Sequence, residues 1–230
     1  MKNNVAVIAA HPDDEVLGCG GTIAKHALAG DDVYVLIVAE GITSRDAKRD
    51  RDNRVLDIND LKKAARAASQ ILGVASVELE NFPDNRLDSV DLLDLTKTIE
   101  KFIENYHPSI VYTHHSADLN VDHQRVHDAV ITACRPTPAC VVSTLLFFEV
   151  ASSTEWRSST CPSPFLPNWF SDISSTLDLK LKALKCYHSE MRSWPHARSL
   201  QALEHLARWR GASVGIEAAE AFVLGRRILK

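Results

Sequence analysis

The sequence offers no framework of cysteines. Its five, Cys19, Cys134, Cys140, Cys161 and Cys186, are scattered and odd in number with no C-x-x-C pair, which excludes a zinc knuckle or a dithiol redox motif and reads as reduced thiols. An excess of positive charge is also missing: Lys and Arg number 26 against 30 Asp and Glu, a formal net charge of -4. Nucleic acid and an anionic membrane surface are therefore poor partners. No apolar run reaches the roughly 18 residues of an integral membrane segment. The stretch Val5–Ala10 is too short for a signal-peptide core, so the expected location is cytoplasmic. Internal repeats are absent too. What remains, 45% hydrophobic and 24% charged residues over 230 positions, is the balance of a globular chain able to bury a substantial core.

Strand-like runs alternate with helix-period segments through the first two-thirds. Strands are expected near Val5–Ala10, Val33–Ala39, Ser76–Leu79, Ile110–Thr113 and Leu145–Val150, and helices near Leu17–Ala29, Asp57–Leu72, Val90–Tyr106 and Val121–Ala133. Gly30-Asp31-Asp32, Gly73 and His107-Pro108 punctuate the helix ends. This β-α alternation predicts an α/β fold, a Rossmann-like, mainly parallel sheet of strand order 3-2-1-4-5 flanked by helices. After Val150 comes a Ser/Thr/Pro-rich stretch, "ASSTEWRSSTCPSPFLPNWF", followed by helical segments near Leu177–Met191 and Ser199–Gly211. The expectation is one domain over 1–230, with a core over 1–150 and a C-terminal cap of loops and helices over 151–230, since a piece of about 80 residues with few apolar strands would struggle to fold alone.

The first strand runs directly into His11-Pro12-Asp13-Asp14-Glu15. Its carboxyl-end loop is where open α/β sheets place ligands. An acidic helix start is the ordinary reading of such a stretch, because Asp and Glu suit a first turn and Pro is at home there. Yet one carboxylate suffices for a cap, and three in succession repel one another unless a cation relieves them. His11 and Asp14, three apart across a turn, can converge on one ion while Asp13 faces elsewhere. The glycines of "GCGG" come too late after the strand for a dinucleotide fingerprint, and a phosphate would meet the acids; they suit close helix packing or substrate approach.

A second cluster, "YTHHSADLNVDHQRVHDAV", follows the fourth predicted strand and carries His114, His115, Asp118, Asp122, His123 and His127. In the 3-2-1-4-5 order, strands 1 and 4 are neighbours at the topological switch point, so both clusters open into one crevice. His123, in the first turn of its helix, is the better ligand candidate. His127 suits a backbone hydrogen bond or a supporting role behind a ligand, and the adjacent His114 and His115 must point to opposite faces.

Taken together, "AHPDDEVLGCGG" at Ala10–Gly21 and "DLNVDHQRVHDAV" at Asp118–Val130 resemble the LmbE-like, or PIG-L-like, family of zinc-dependent de-N-acetylases. The resemblance continues through "GITSRD", "FPDNRLD", "YHSEMRSWPHARS" and "EAAEAF", most of the chain. It implies hydrolysis of an N-acetyl group from an N-acetylglucosamine-type sugar or glycoconjugate. It further implies Zn2+ held by His11, Asp14 and His123, with Asp13 as general base. Fe2+ or Mn2+ fits the same ligand types. Glu15, Asp122 and His127 would support these groups. One departure stands out: many members carry a histidine three positions before the ligand histidine, where this chain has Asn120. Asparagine donates a hydrogen bond but carries no charge, so either Asn120 serves as a neutral donor to the oxyanion or His196, from "PHARS", takes that place.

Arg45, Asp84 and Arg86 lie in predicted strand-end loops and are the candidate contacts for sugar hydroxyls. Trp156, Trp169 and Trp194 suit either cap packing or stacking on a sugar face. The expected partner is a small N-acetylated sugar or glycoconjugate, and a homo-oligomer stays open. Two other readings compete: a Mg2+-dependent phosphohydrolase, against which the histidines argue, and a non-catalytic carbohydrate-binding protein with a vestigial site.

Overall fold

The computed structural model describes residues 2–158 and 160–229. Five parallel strands, β1 (Asn4–Ala9), β2 (Asp32–Ala39), β3 (Ser76–Phe82), β4 (Ile110–His114) and β5 (Thr144–Phe148), stand in the expected order 3-2-1-4-5. Four helices connect them: α1 (Asp14–Leu28), α2 (Val55–Leu72), α3 (Leu92–Tyr106) and α4 (Val121–Ala133). β1 lies between β2 and β4, with Val5 opposite Ile110 and Ile8 opposite Thr113. The carboxyl ends of β1 and β4 are therefore side by side.

β1 shows why the sheet is covered on both faces. Val5 and Val7 join a core with α1, α2, α5 (Leu177–Leu184) and α6 (Leu200–Ala212), whereas Ala6 and Ile8 join a second core with α3 and α4. In α2, Ile58, Leu61, Ala65, Ala68 and Leu72 recur at helical spacing and are buried, and Gly73 ends the helix with a φ of 76°. Asn120 caps α4 by accepting the Asp122 N–H at 2.8 Å.

The C-terminal third differs from a cap of loops and helices. It also contributes β6 (Trp169–Asp172) and β7 (Ala219–Arg227), which run antiparallel and extend the sheet beyond β5 in the order β5-β7-β6. The opening of β7, Ala219-Glu220-Ala221, consists of strong helix formers, and β6 is four residues inside a Ser/Pro-rich stretch, so neither carries a clear strand pattern.

α1 also departs from expectation. It begins at Asp14 rather than Leu17, so the acidic cluster opens the helix, and it breaks at Cys19, whose backbone has φ -148° and ψ 25°. The break frees backbone groups that are met from the C-terminal third. Glu220 accepts the N–H groups of Gly21 and Thr22 at 2.9 and 2.7 Å, while Lys180 donates to Leu17 O at 2.9 Å and pairs with Glu220 at 2.6 Å. All of this is buried, and a helix interruption inside a core must be satisfied in this way. Gly21 serves packing, since a Cβ there would lie 2.8 Å from Ile173 Cδ1. Removing one member of a buried ion pair costs about 3–5 kcal/mol, so Glu220→Ala is expected to lower Tm by roughly 10 °C, at the about 2–4 °C per kcal/mol typical of a chain this size. A calorimetric shift below about 3 °C would contradict this role.

Candidate metal and catalytic site

The turn leaving β1 places three acids in three different environments. Asp13 occupies the helix N-cap position with a φ of 114°, a conformation non-glycine residues rarely hold, and its carbonyl accepts Val16 and Leu17 N–H at 3.0 and 2.9 Å. Glu15 stabilises that backbone: it accepts the Asp13 N–H at 3.1 Å and the Tyr187 hydroxyl on its other oxygen. Burial pushes the Glu15 carboxyl up to about 7, against the pull of Tyr187. Asp14 turns towards the histidines instead.

Asp14 Oδ2 lies 3.2 Å from both His11 Nδ1 and His123 Nε2. Each histidine is backed by a carboxylate at its other nitrogen, His11 Nε2 by Asp122 at 3.0 Å and His123 Nδ1 by Asp118 at 3.1 Å. Those carboxylates are themselves held. Asp122 accepts the backbone N–H groups of Asn85 and Leu87 at 2.6 and 2.9 Å, and Asp118 accepts the hydroxyls of Ser153 and, at 2.6 Å, Thr154. This nested arrangement is the one metal-ligating histidines require. One ligand atom from each of His11, Asp14 and His123 falls within 4.8 Å of the others. His123 Nε2, His123 Nδ1 and Asp14 Oδ1 are buried without a hydrogen-bond partner among the described residues, since the approaches of His123 to Asp14 at 3.2 Å and to Asp118 at 3.1 Å are not aligned as hydrogen bonds. Two imidazoles and a carboxylate with vacant buried lone pairs fit a zinc-type divalent ion. A second triplet, His11, Asp84 and Asp122, is equally close. There the Asp122 oxygens are already filled by backbone donors and Asp84 accepts the Ser44 N–H at 2.9 Å, so it is the poorer ligand set.

Electrostatics separate the groups further. Burial opposes ionisation of Asp14, but His123, His11 and His114 outweigh it and hold the carboxyl well below its usual range. Burial likewise opposes protonation of His123, yet Asp14 and Asp118 raise it to about 9. Asp13 goes the other way. Burial pushes it well up, aided by Asp14 and countered by Arg198, whose Nη1 is 2.9 Å from Asp13 Oδ2. Asp13 Oδ1 is buried without a partner among the described residues.

The remaining predicted residues are distributed unevenly. His114 accepts the Ala10 N–H through Nε2 at 2.8 Å and stacks on His123, with burial and His123 pushing it well below its usual range, so it is a neutral wall. His115 turns away, donating from Nε2 to the Ser163 carbonyl at 3.0 Å. His127 donates to the His114 carbonyl at 2.9 Å and so steadies the β4 exit. Asp84 is buried, 3.3 Å from His11 Nε2 and accepting the Ser44 N–H, and it lines the same cavity as His11 and Asp13. Arg45 lines a cavity of about 110 Å3 that also exposes His11, Asp13 and Asn120, but its guanidinium is held by Glu190 at 2.8 and 2.9 Å; Arg86 is not among the lining residues. The Asn120 amide is engaged at both ends, by Asp122 N–H and Asn85 Oδ1. His196 does not reach this cavity. Its Nδ1 accepts the Arg198 N–H at 3.0 Å and its ring packs on Trp156; Arg198, two residues on, is the group of "PHARS" that enters. Trp156 and Trp194 are half exposed, and Trp169 lies in β6. A larger groove of about 310 Å3 sits at the amino ends of β4 and β5, beside Tyr112 and Trp169, and contains none of the clustered acids.

Residues 6–134 match the family model described as PIG-L: GlcNAc-PI de-N-acetylase. The protein described as uncharacterized deacetylase YaiS of Escherichia coli K12 is 31% identical over 194 residues, covering 82% of this chain and 92% of that protein. Among solved structures, the N,N'-diacetylchitobiose deacetylase of Pyrococcus horikoshii superposes with a TM-score of 0.77 at 21% identity, over 97% of this chain and 84% of that one. The 4-carboxy-2-hydroxymuconate hydratase GalB of Pseudomonas putida KT2440 superposes with a TM-score of 0.75 at 22% identity, over 100% of this chain and 98% of that one, so the fold serves more than one reaction. The extent of the family match and the relationship to YaiS nevertheless place the chain without ambiguity: it belongs to the PIG-L (LmbE-like) deacetylase family.

Proposed function

We propose that this protein is a zinc-dependent hydrolase that removes the N-acetyl group from an N-acetylglucosamine-type sugar or glycoconjugate. One observation carries the reading. A buried His11–Asp14–His123 donor set with vacant lone pairs stands beside Asp13, a cavity-lining residue whose Oδ1 has no hydrogen-bond partner among the described residues. Family membership supplies the amide substrate. When bound, zinc would supply Lewis-acid chemistry, acidifying water and polarising an amide carbonyl.

The chain's own residues do the rest. His11, Asp14 and His123 hold the ion, with Asp122 and Asp118 fixing the two imidazole orientations. Asp13 accepts a proton at Oδ1 from the attacking water and returns it to the nitrogen of the departing amine, so that amide and water become acetate and an amino sugar. At about 110 Å3 the cavity is smaller than the about 300–1,000 Å3 that encloses a drug-sized ligand. It suits the acetamido end, with the rest of the sugar in the open mouth near Arg45 and Glu190. Nitrogen donors at the centre disfavour the magnesium phosphohydrolase reading, because Mg2+ prefers oxygen ligands. A binding-only protein would have no need of a strained, buried, half-free Asp13. The hydratase neighbour shares the fold alone.

Asp13→Asn is expected to lower the rate of acetate release from N-acetylated amino sugars by about 10²–10⁴-fold while zinc content stays at the parent level. Equal release by the two proteins would refute Asp13 as the base. His123→Ala should purify without zinc, and Asp118→Asn should weaken zinc affinity by about 10–100-fold, both read by metal analysis and competition with a chelator. Stoichiometric zinc in His123→Ala would mean that the ligand set is misassigned.

A further inference from the structure

We infer that Arg198 is the positioning residue of Asp13: it clamps one carboxylate oxygen so that the other is the atom that faces the reacting groups. This rests on the reading of Asp13 as the base and adds to it a residue that lies outside the matched family segment, 6–134. Asp13 needs such a clamp. Its backbone sits in a conformation with φ 114°, Asp14 and Glu15 follow it directly, and its carboxylate is 1% exposed. A buried carboxylate followed by two others, free to rotate about its side-chain bonds, would turn away from its neighbours or towards the cation held by Asp14.

Arg198 opposes that rotation from a rigid base. Nη1 lies 2.9 Å from Asp13 Oδ2, Nε donates to Ser152 Oγ at 2.6 Å, and the Arg198 backbone N–H donates to His196 Nδ1 at 3.0 Å. The next residue, Ser199, caps α6 by accepting the Ala202 N–H at 3.0 Å, which fixes the chain where the arginine leaves it. A planar guanidinium anchored at Nε by Ser152 can hold a carboxylate oxygen in one place, which a flexible ammonium cannot do as well. Arg45, also on the cavity, is not available for this, because Glu190 holds it in a two-point pair. Position 120 supplies no cation either; Asn120 is spent on the α4 cap and on Asn85. The result is a division of labour within one carboxylate: Oδ2 takes the arginine, and Oδ1, with no partner among the described residues, keeps a lone pair for the proton.

The test uses zinc-loaded parent, Arg198→Ala, Arg198→Lys and Asp13→Asn proteins. Arg198→Ala should lower kcat for acetate release by about 10²-fold, the scale of a small misplacement at a reacting centre, with KM and zinc content near parent values. Arg198→Lys should fall between the two, and added guanidinium should restore Arg198→Ala but not Asp13→Asn. In crystals, the Asp13 carboxylate should rotate in Arg198→Ala and return when guanidinium is soaked in. An undiminished kcat, or a loss that comes with lowered zinc content or is not rescued by guanidinium, would overturn the inference. So would an Asp13 orientation unchanged in the Arg198→Ala crystal, a readout that holds even if no sugar is hydrolysed. Failure of the parent protein to release acetate, with the rotation observed, would strike the functional reading and leave the clamp.

Discussion

Negative charge that cannot escape to solvent is the constraint around which this molecule is arranged. Asp13, Asp14, Glu15, Asp84, Asp118 and Asp122 are all buried at the carboxyl ends of neighbouring strands. Each therefore needs a partner. Asp14 faces two histidines, Asp118 and Asp122 stand behind those histidines, Glu15 has Tyr187 and a backbone N–H, and Asp13 has Arg198. Between His11, Asp14 and His123, Asp14 Oδ1 and His123 Nε2 stay without hydrogen-bond partners among the described residues, and a cation there would complete the neutralisation.

The scaffold explains why the centre can be rigid. β1 and β4 pair in register, and Ala10 N–H bonds His114 across their exits, so the two halves of the donor set are joined by the sheet itself. The second half of α1 is then secured from the far end of the chain, where the Lys180–Glu220 pair satisfies the helix break at Cys19. The C-terminal third thus does more than cover the site. Through Glu220, Lys180, Tyr187 and Arg198 it touches the acidic turn and the helix that follows it at four points, two of which bear directly on Asp13 and Glu15.

Local physics made part of this legible in the sequence. Strand-end position together with an improbable run of acids marks His11–Glu15, and helical phase marks His123, because both signals lie within a few residues of one another. The five parallel strands are legible for the same reason: each is a short apolar run bounded by turn residues. What sequence could not reveal depends on distant partners. The start of β7 is made of helix-favouring Ala and Glu and becomes a strand only by pairing with β5 and β6. Arg198 and His196 are two residues apart in one loop, and nothing in their spacing says which one reaches Asp13; the cap at Ser199 and the anchor at Ser152 decide it. Asp84 is a candidate sugar contact from its loop motif, but its burial against His11 and the Ser44 N–H at the cavity wall depends on neighbours distant in sequence.

The most direct test of the account is the position of a metal in crystals grown with zinc, fixed by anomalous scattering at the zinc edge. The account predicts one ion about 2.0–2.2 Å from His11 Nδ1, an Asp14 oxygen and His123 Nε2, with His11 Nε2 still donating to Asp122 and Asp13 outside the coordination sphere. A zinc ion seated instead between Asp84 and Asp122, or liganded by Asp13, would contradict it.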